Sequence, residues 1–387
     1  ENDIIEKVLI LGVDKNLLDK FYPNIPNRDF LIEGCSNHIT YEKKNTNIIR
    51  QNYNAKKDTI IKNAGIANTD VTDPIIENPE FTKINLFDYQ RRTIKWMFEK
   101  EKTVPTIYYN FNDQIMIGKY VCDLVKKEIF KIDDQKQVVF SGGLLCDEVG
   151  LGKTFQMLTL CLLNQAGKMS YFNDKLKRLQ SRATLVLCPN QLCNQWIREI
   201  TKTINQDYPV KVIPMLTKVH FDKYTYIDIL NADFVIVSFT FLGNDNYYKW
   251  LDKLIGKTKA QTHLKKIKTN IDVELNKQQV NKIIEEHYND FKINPNKLFD
   301  KNPILHMINF HRIVCDEYHE TQTISKYYYL KIMIPLFNAT YKWCVTGTPF
   351  DKGECVASIF NYITNYKIND VVKLLTNDNI YDYMTKK

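Results

Sequence analysis

Short unbroken apolar runs alternate with stretches of helical period through the middle of this chain. GLLC at Gly143–Cys146, then ATLVLC, VKVIPM, DFVIVSFTFL, RIVC at Arg312–Cys315 and YKWCV each read as a strand buried on both faces. Between them lie segments with period 3.6. In NLFDYQRRTIKWMFEKE, Leu86, Tyr89, Ile94, Met97 and Phe98 approximate one apolar stripe with charges opposite. Fully apolar strands interleaved with helices predict an α/β fold, a parallel sheet with helices on both faces.

Elsewhere the pattern is weaker. Residues 1–80 hold two strand-like runs, VLILGV and FLIEGC, and a polar stretch from Asn37 to Asn68. They read as an accessory region of unknown role. Residues 81–387 read as one lobe with insertions near 103–140 and 243–302. The first insertion carries aromatic and β-branched clusters (TIYYNF, QVVF) that predict extra strands or a hairpin. The second is rich in Lys, Asn and Gln and reads as helical in pieces; the stretch around Lys175–Arg182 reads as a polar bridge. The lysines at 253, 257, 259, 265, 266 and 268 suit a phosphate-tracking patch or a solvated helix face. The second reading is preferred, because the whole chain is lysine-rich. Beyond YKWCVTGTPF the chain reads as helical to Lys387.

Composition narrows the class. At 387 residues, 44% hydrophobic and 25% charged, the chain is of ordinary globular type and long enough for a sizeable core. A net charge of +8 mildly favours a polyanionic partner. No apolar run reaches the ~18 residues of a membrane helix. Nothing resembles a secretory signal; the chain starts at Glu1, and an upstream start is expected. The nine cysteines are scattered, several inside apolar strands, with no C-x-x-C pair. Buried free thiols, no structural metal and an intracellular setting are expected.

Chemistry concentrates in SGGLLCDEVGLGKTFQMLTLCLLNQA. A strand, a glycine loop and a helix opening at Lys153-Thr154 form a phosphate-binding device, because loop N–H groups and the helix dipole converge on an anion. Gly150 and Gly152 are free to take positive φ. Lys153 is expected to reach β- and γ-phosphates, and Thr154 to hold Mg²⁺. Asp147 stands where G-x-x-x-x-G-K-[ST] wants glycine. The strand RIVC ends in Asp316-Glu317, suited to holding Mg²⁺ and to orienting or deprotonating a water. His319 could couple the γ-phosphate to the turn Thr346-Gly347-Thr348. Gln90 could pair with both edges of adenine. Strand ends of a parallel sheet share one crevice, which would gather these positions.

Taken together, DEVGLGKT, LVLCPNQLCNQW, VIVSF, DEYH, VTGTPF and FDYQRRTIKWM resemble, in order, motifs I, Ia, Ib, II and III and the upstream adenine-side segment of the Swi/Snf-related ATPases of helicase superfamily two. The similarity covers roughly Asn85 to Phe350 apart from the insertions. In that family Asp precedes the loop, so Asp147 is expected. The resemblance implies a P-loop NTPase fold, the RecA-like first lobe of a helicase, using ATP and Mg²⁺ and translocating on double-stranded DNA. It implies Gln90 at adenine, Gly150, Gly152, Lys153 and Thr154 at phosphate and metal, and Asp316 and Glu317 as metal and water residues. It puts Asn190, Gln191, Ser238 and Thr348 at nucleic acid, as backbone contacts that fix register without reading bases.

Three departures stand out: the bulky Tyr318 in Asp-Glu-x-His, Phe350-Asp351-Lys352 after Thr-Gly-Thr-Pro, and no second lobe with its arginine fingers. Without that lobe the segment should bind ATP and turn it over poorly. A remodelling, repair or transcription-associated motor leads, in the nucleus or, for a viral chain, in the virus factory or virion. The runners-up are an Asp-Glu-x-His RNA helicase or a viral transcription NTPase and, in another class, a non-catalytic nucleotide-binding adaptor. Protein partners or a nucleoprotein substrate are expected of the motor.

Overall fold

In the computed structural model, the described residues are 71–104, 106–108, 114–117, 120–123, 128–131, 137–167, 169–243, 247, 270–323, 330–347 and 353–364. They fall into two compact units. The smaller includes residues 107–138, where Gln114–Ile117, Tyr120–Asp123 and Glu128–Lys131 form an antiparallel meander. Strands were expected in that insertion, and strands occupy it.

The larger unit opens with α1 (Asp88–Thr103), followed by β1 (Gly142–Leu145) and α2 (Lys153–Leu163). Next come β2 (Phe172–Asn173), β3 (Arg178–Gln180), β4 (Thr184–Cys188), α3 (Asn190–Thr203) and β5 (Val212–Met215). The short helices α4 (Lys218–Lys223) and α5 (Tyr226–Leu230) lead to β6 (Phe234–Ser238) and α6 (Phe239–Leu242). The chain then gives α7 (Asn270–Ile293), β7 (Ile308–Asp316), α8 (Glu320–Thr323), α9 (Leu330–Leu336), β8 (Asn338–Val345) and α10 (Gly353–Ile363). The sheet runs β5-β6-β4-β7-β8-β1, all parallel.

Both faces of this sheet are buried, which is why its strands read as continuous apolar runs. Leu145, Val186, Ile236, Val314 and Trp343 pack under Ile94 and Met97 of α1, Leu158 of α2 and Trp196 of α3. The alternate residues Leu144, Leu185, Val235, Ile313 and Cys344 are equally buried, with α10 packed on β8 and β1. Cys146, Cys161, Cys188, Cys193, Cys315 and Cys344 are buried free thiols.

One element departs from the sequence reading. The polar bridge is a hairpin: β2 pairs antiparallel with β3, which extends the sheet beside Ile308-Asn309 of β7. Its polar residues are used by α7, where Tyr288 and Lys292 bond Asp174, and Asn281 accepts from Arg178. The insertion read as helical in pieces holds, among its described residues, the 24-residue helix α7 and the 3₁₀ helix Pro295–Phe299. The lysines at 253–268 lie outside the described residues.

On the face covered by α1 and α2, a buried ion pair joins the elements that carry the site. Arg312 of β7 donates to both oxygens of Glu101, at 2.6 and 2.5 Å, and both side chains are fully buried. Trp343 Nε1 and Asn164 Nδ2 donate to the same carboxylate, and Arg312 also reaches Thr184 Oγ1. Five elements, α1, α2, β4, β7 and β8, are tied together by this network: through Glu101 near the end of α1, Asn164 just after α2, Thr184 at the start of β4, Arg312 within β7 and Trp343 within β8.

Candidate active site

Strand register decides which residues meet. Asp316 is paired with Val345, Val345 with Leu145, Cys315 with Leu187, and Ser238 with Cys188. The strands therefore end together. The loop after β1, the carboxylates after β7 and the turn after β8 emerge along one sheet edge.

Within the loop, Gly150 and Gly152 take φ of +94° and +76°. Gly152 caps α2 in the left-handed region, and a Cβ there would lie 2.6 Å from Gln90 Nε2. Lys153 opens the helix and folds back, its ammonium donating to the carbonyls of Asp147 (2.8 Å) and Glu148 (3.0 Å). Thr154 follows in the first turn, half-buried. Asp147 acts as a strut: its carboxylate accepts from Gln156 Nε2, which also reaches the Leu151 carbonyl. Burial raises the pKa of Asp147, against the opposing effects of Gln156 and Lys153.

Gln90 arrives from the start of α1 with both ends of its amide engaged. Its oxygen accepts from the Phe87 N–H, and its nitrogen donates to the Leu151 carbonyl. The amide thus ties α1 to the phosphate loop, leaving one N–H and one lone pair for a base. Tyr89 donates to the same Leu151 carbonyl.

Across the loop, Asp316 is 6% exposed. Its Oδ2 accepts from Trp196 Nε1 at 2.8 Å, and its Oδ1 from the Glu317 N–H at 3.0 Å. Burial, with the Glu317 charge adding, raises its pKa to about 6; Trp196, the Glu317 N–H and Lys153 oppose the rise. Glu317 has φ of +50°, uncommon for a side-chain-bearing residue and a local strain at the chemical centre. Its carboxylate lies 3.2 Å from His319 Nδ1, and that nitrogen is 2.8 Å from Thr346 Oγ1. The expected coupling of His319 to the Thr346 turn has its contact. Gly347 closes the ring: a Cβ there would sit 3.1 Å from Val149 and 3.7 Å from Lys153 Nζ.

Oxygen ligands dominate the pocket. Thr154 hydroxyl and Asp316 carboxylate are hard donors of the kind Mg²⁺ takes, and a cation would offset the burial of Asp316. Sequence reasoning assigned no role to Trp196 or Gln156, each of which bonds a site carboxylate. The available signal was that a buried indole or amide needs a polar partner.

A model of the SNF2-related domain matches residues 89–376, most of the chain. The chain belongs to this family. DNA repair protein RAD5 of Yarrowia lipolytica is 26% identical over 334 residues, 79% of this chain and 26% of that protein. The uncharacterised ATP-dependent helicase IRC20 of Saccharomyces cerevisiae is 25% identical, covering 30% of this chain and 10% of its own. The DNA (cytosine-5-)-methyltransferase DMT5 of Cryptococcus neoformans is 24% identical, covering 49% and 8%. The chain thus spans between 8% and 26% of these proteins' lengths. Among solved structures, the Sulfolobus solfataricus SWI2/SNF2 ATPase core in complex with dsDNA matches at 15% identity and TM-score 0.40, over 75% of this chain and 37% of that one.

As an SNF2-related domain the chain is of the helicase-like motor class. This favours the motor over the RNA-helicase, viral NTPase and adaptor readings. Of the residues expected at nucleic acid, Asn190 and Gln191 are exposed at the start of α3, Asn190 Oδ1 accepting from Thr240. Ser238 is buried; its hydroxyl caps α6 by accepting from the Phe241 N–H and lies 3.5 Å from the Leu216 carbonyl. Thr348 lies outside the described residues. Among those described, no helix is long and apolar enough to cross a membrane.

Proposed function

We propose that this chain is the ATP-binding lobe of a motor that couples ATP hydrolysis to translocation along double-stranded DNA, in a remodelling, repair or transcription-associated protein. The observation that carries the reading is the ring Lys153–Gly347–Thr346–His319–Glu317–Asp316 around one sheet edge. A phosphate lysine, two carboxylates and a threonine turn converge there.

In this reading the Lys153 ammonium leaves the carbonyls of Asp147 and Glu148 for the β- and γ-phosphates, and loop N–H groups complete the cradle. Mg²⁺ at Thr154 and Asp316 would neutralise charge between those phosphates. Glu317 orients or deprotonates the attacking water. His319, bridging Glu317 and Thr346, passes the state of the γ-phosphate to the turn that follows β8. Gln90 serves adenine with the donor and acceptor positions its internal bonds leave open. Asn190, Gln191 and Thr348 serve the DNA backbone, contacts that set register without reading sequence. The relatives, a DNA repair protein and a DNA methyltransferase among them, support a DNA substrate. The second lobe of the motor would supply the arginine that completes the site, so the lobe alone should turn over slowly.

The test is steady-state ATPase of the protein at its full natural length, with duplex DNA, with RNA and without either, beside Lys153→Ala and Glu317→Gln. Duplex-DNA stimulation abolished by both substitutions is expected. Stimulation by RNA alone would move the reading to an RNA helicase. ATP binding with no turnover would leave an adaptor.

A further inference from the structure

Tyr318 stands between Glu317 and His319, and its ring goes the opposite way from theirs. The bulky ring at this position has to fit beside the site. It is 3% exposed and lies against α10. Its hydroxyl is 2.9 Å from Ser358 Oγ and donates to the Ser358 carbonyl at 3.3 Å. Its ring is 5.5 Å from that of Tyr362 on the same helix. Its N–H donates to the Val345 carbonyl, and its own carbonyl accepts from Thr321 N–H and Oγ1. Every polar group of Tyr318 is engaged, with partners on β8, α8 and α10.

The residue so anchored follows Glu317, whose left-handed φ of +50° costs energy and persists only where its surroundings enforce it. Glu317 itself is held by three bonds: its N–H donates to Asp316 Oδ1, its carbonyl accepts from the Glu320 N–H, and its carboxylate meets His319. The anchor point is also informative. β8 ends at Val345, the Thr346-Gly347 turn follows, and α10 begins at Gly353, so Ser358 lies on the first helix after that turn. The side chain of Tyr318 thus reaches the helix that comes next in the chain after β8.

We propose that Tyr318, through its hydroxyl bond to Ser358, is a positioning residue that holds Glu317 in its left-handed conformation and couples it to α10. A shift of α10 reaches Glu317 through this bond, so α10 is the element through which the remainder of a motor would gate hydrolysis. The inference rests on the proposed role of Glu317 in ATP hydrolysis.

Tyr318→Phe keeps the ring packing and removes only the hydroxyl; Ser358→Ala removes the hydroxyl partner. ATP turnover and ATP affinity are measured for both, for the double variant and for Glu317→Gln, in the protein at its full natural length. Each single variant should lose about 3- to 10-fold in kcat, the scale of one hydrogen bond, with KM and ATP affinity unchanged. The double variant should be no slower than Tyr318→Phe alone, because that change already removes the bond to Ser358 Oγ that Ser358→Ala removes. Wild-type kcat in both singles, beside an inactive Glu317→Gln, overturns the inference and leaves the function standing. So does a lowered Tm with unchanged kcat, which marks Tyr318 as structural only. Full turnover in Glu317→Gln is a different result: it refutes the role given to Glu317, and the positioning role with it.

Discussion

At Gly152 the demands of backbone and side-chain space coincide. Its φ is +76°, and a Cβ would meet the Gln90 amide at 2.6 Å. Gly152→Ala should therefore weaken nucleotide binding by more than about tenfold, by straining the loop and displacing Gln90. Gly167→Ala, where a Cβ meets nothing within 4 Å, should leave binding unchanged. A fluorescent-nucleotide titration of both reads the difference. Trp196 offers a second residue-scale test. Its indole N–H is the side-chain donor to a buried oxygen of Asp316, so Trp196→Phe should cost about 1–3 kcal/mol, measured by urea denaturation. Gly152 was legible because the loop motif names it. Trp196 was not: it lies 120 positions from Asp316, and only the fold closes that distance.

At the scale of elements, the Glu101–Arg312 pair shows how helices and strands are held in the alignment the site needs. Burying two charges is expensive, and here every oxygen of Glu101 has donors: Arg312 twice, Trp343 and Asn164. Arg312→Met should destabilise by roughly 3–5 kcal/mol, because it leaves a buried carboxylate without its counter-charge. Adding Glu101→Gln should recover much of the loss, since no buried charge then remains. Chemical denaturation of the two single variants and the double variant measures both numbers. Neither residue stood out in the sequence. Glu101 reads as a surface residue near the end of an amphipathic helix, and Arg312 as a charge at the start of a buried strand. The hairpin β2–β3 was missed for a related reason: its burial comes from α7, which lies about a hundred positions downstream.

For the molecule as a whole, global stability should depend on pH through His306. The imidazole is fully buried, stacked 3.8 Å from Phe337, between the Tyr247 hydroxyl and the Met333 carbonyl. Tyr247 accepts from the Leu305 N–H and so donates to Nδ1, leaving Nε2–H to donate to Met333 and fixing the neutral form. Burial lowers its pKa from 6.5 to about 3. The unfolded chain therefore binds a proton that the folded one refuses, and stability present above pH 6.5 is lost as pH falls toward 3. The loss is at most about 4–5 kcal/mol. Asp316 acts in the opposite sense, because its carboxyl, raised to about 6, takes a proton in the folded state first. It offsets up to about 3 kcal/mol as pH falls from 6 to 3.8. His306→Gln should abolish the acid-side loss attributable to this site; urea unfolding at pH 7, 5 and 4 reads it.

The sequence by itself determined the fold class, the order of the strands along the chain and the places of the glycine loop and the acidic pair. Those properties are local: apolar runs, a glycine loop before a helix, an acidic pair at a strand end. Only the tertiary structure decided that β7 lies between β4 and β8, which brings Asp316 to Trp196 and Glu317 beside Thr346 and His319. It also buried Tyr318 against α10 and Ser238 under α6, because each found a hydrogen-bond partner on a neighbouring element. Side-chain direction depends on which donors and acceptors packing brings within reach, and a linear pattern does not carry those distances.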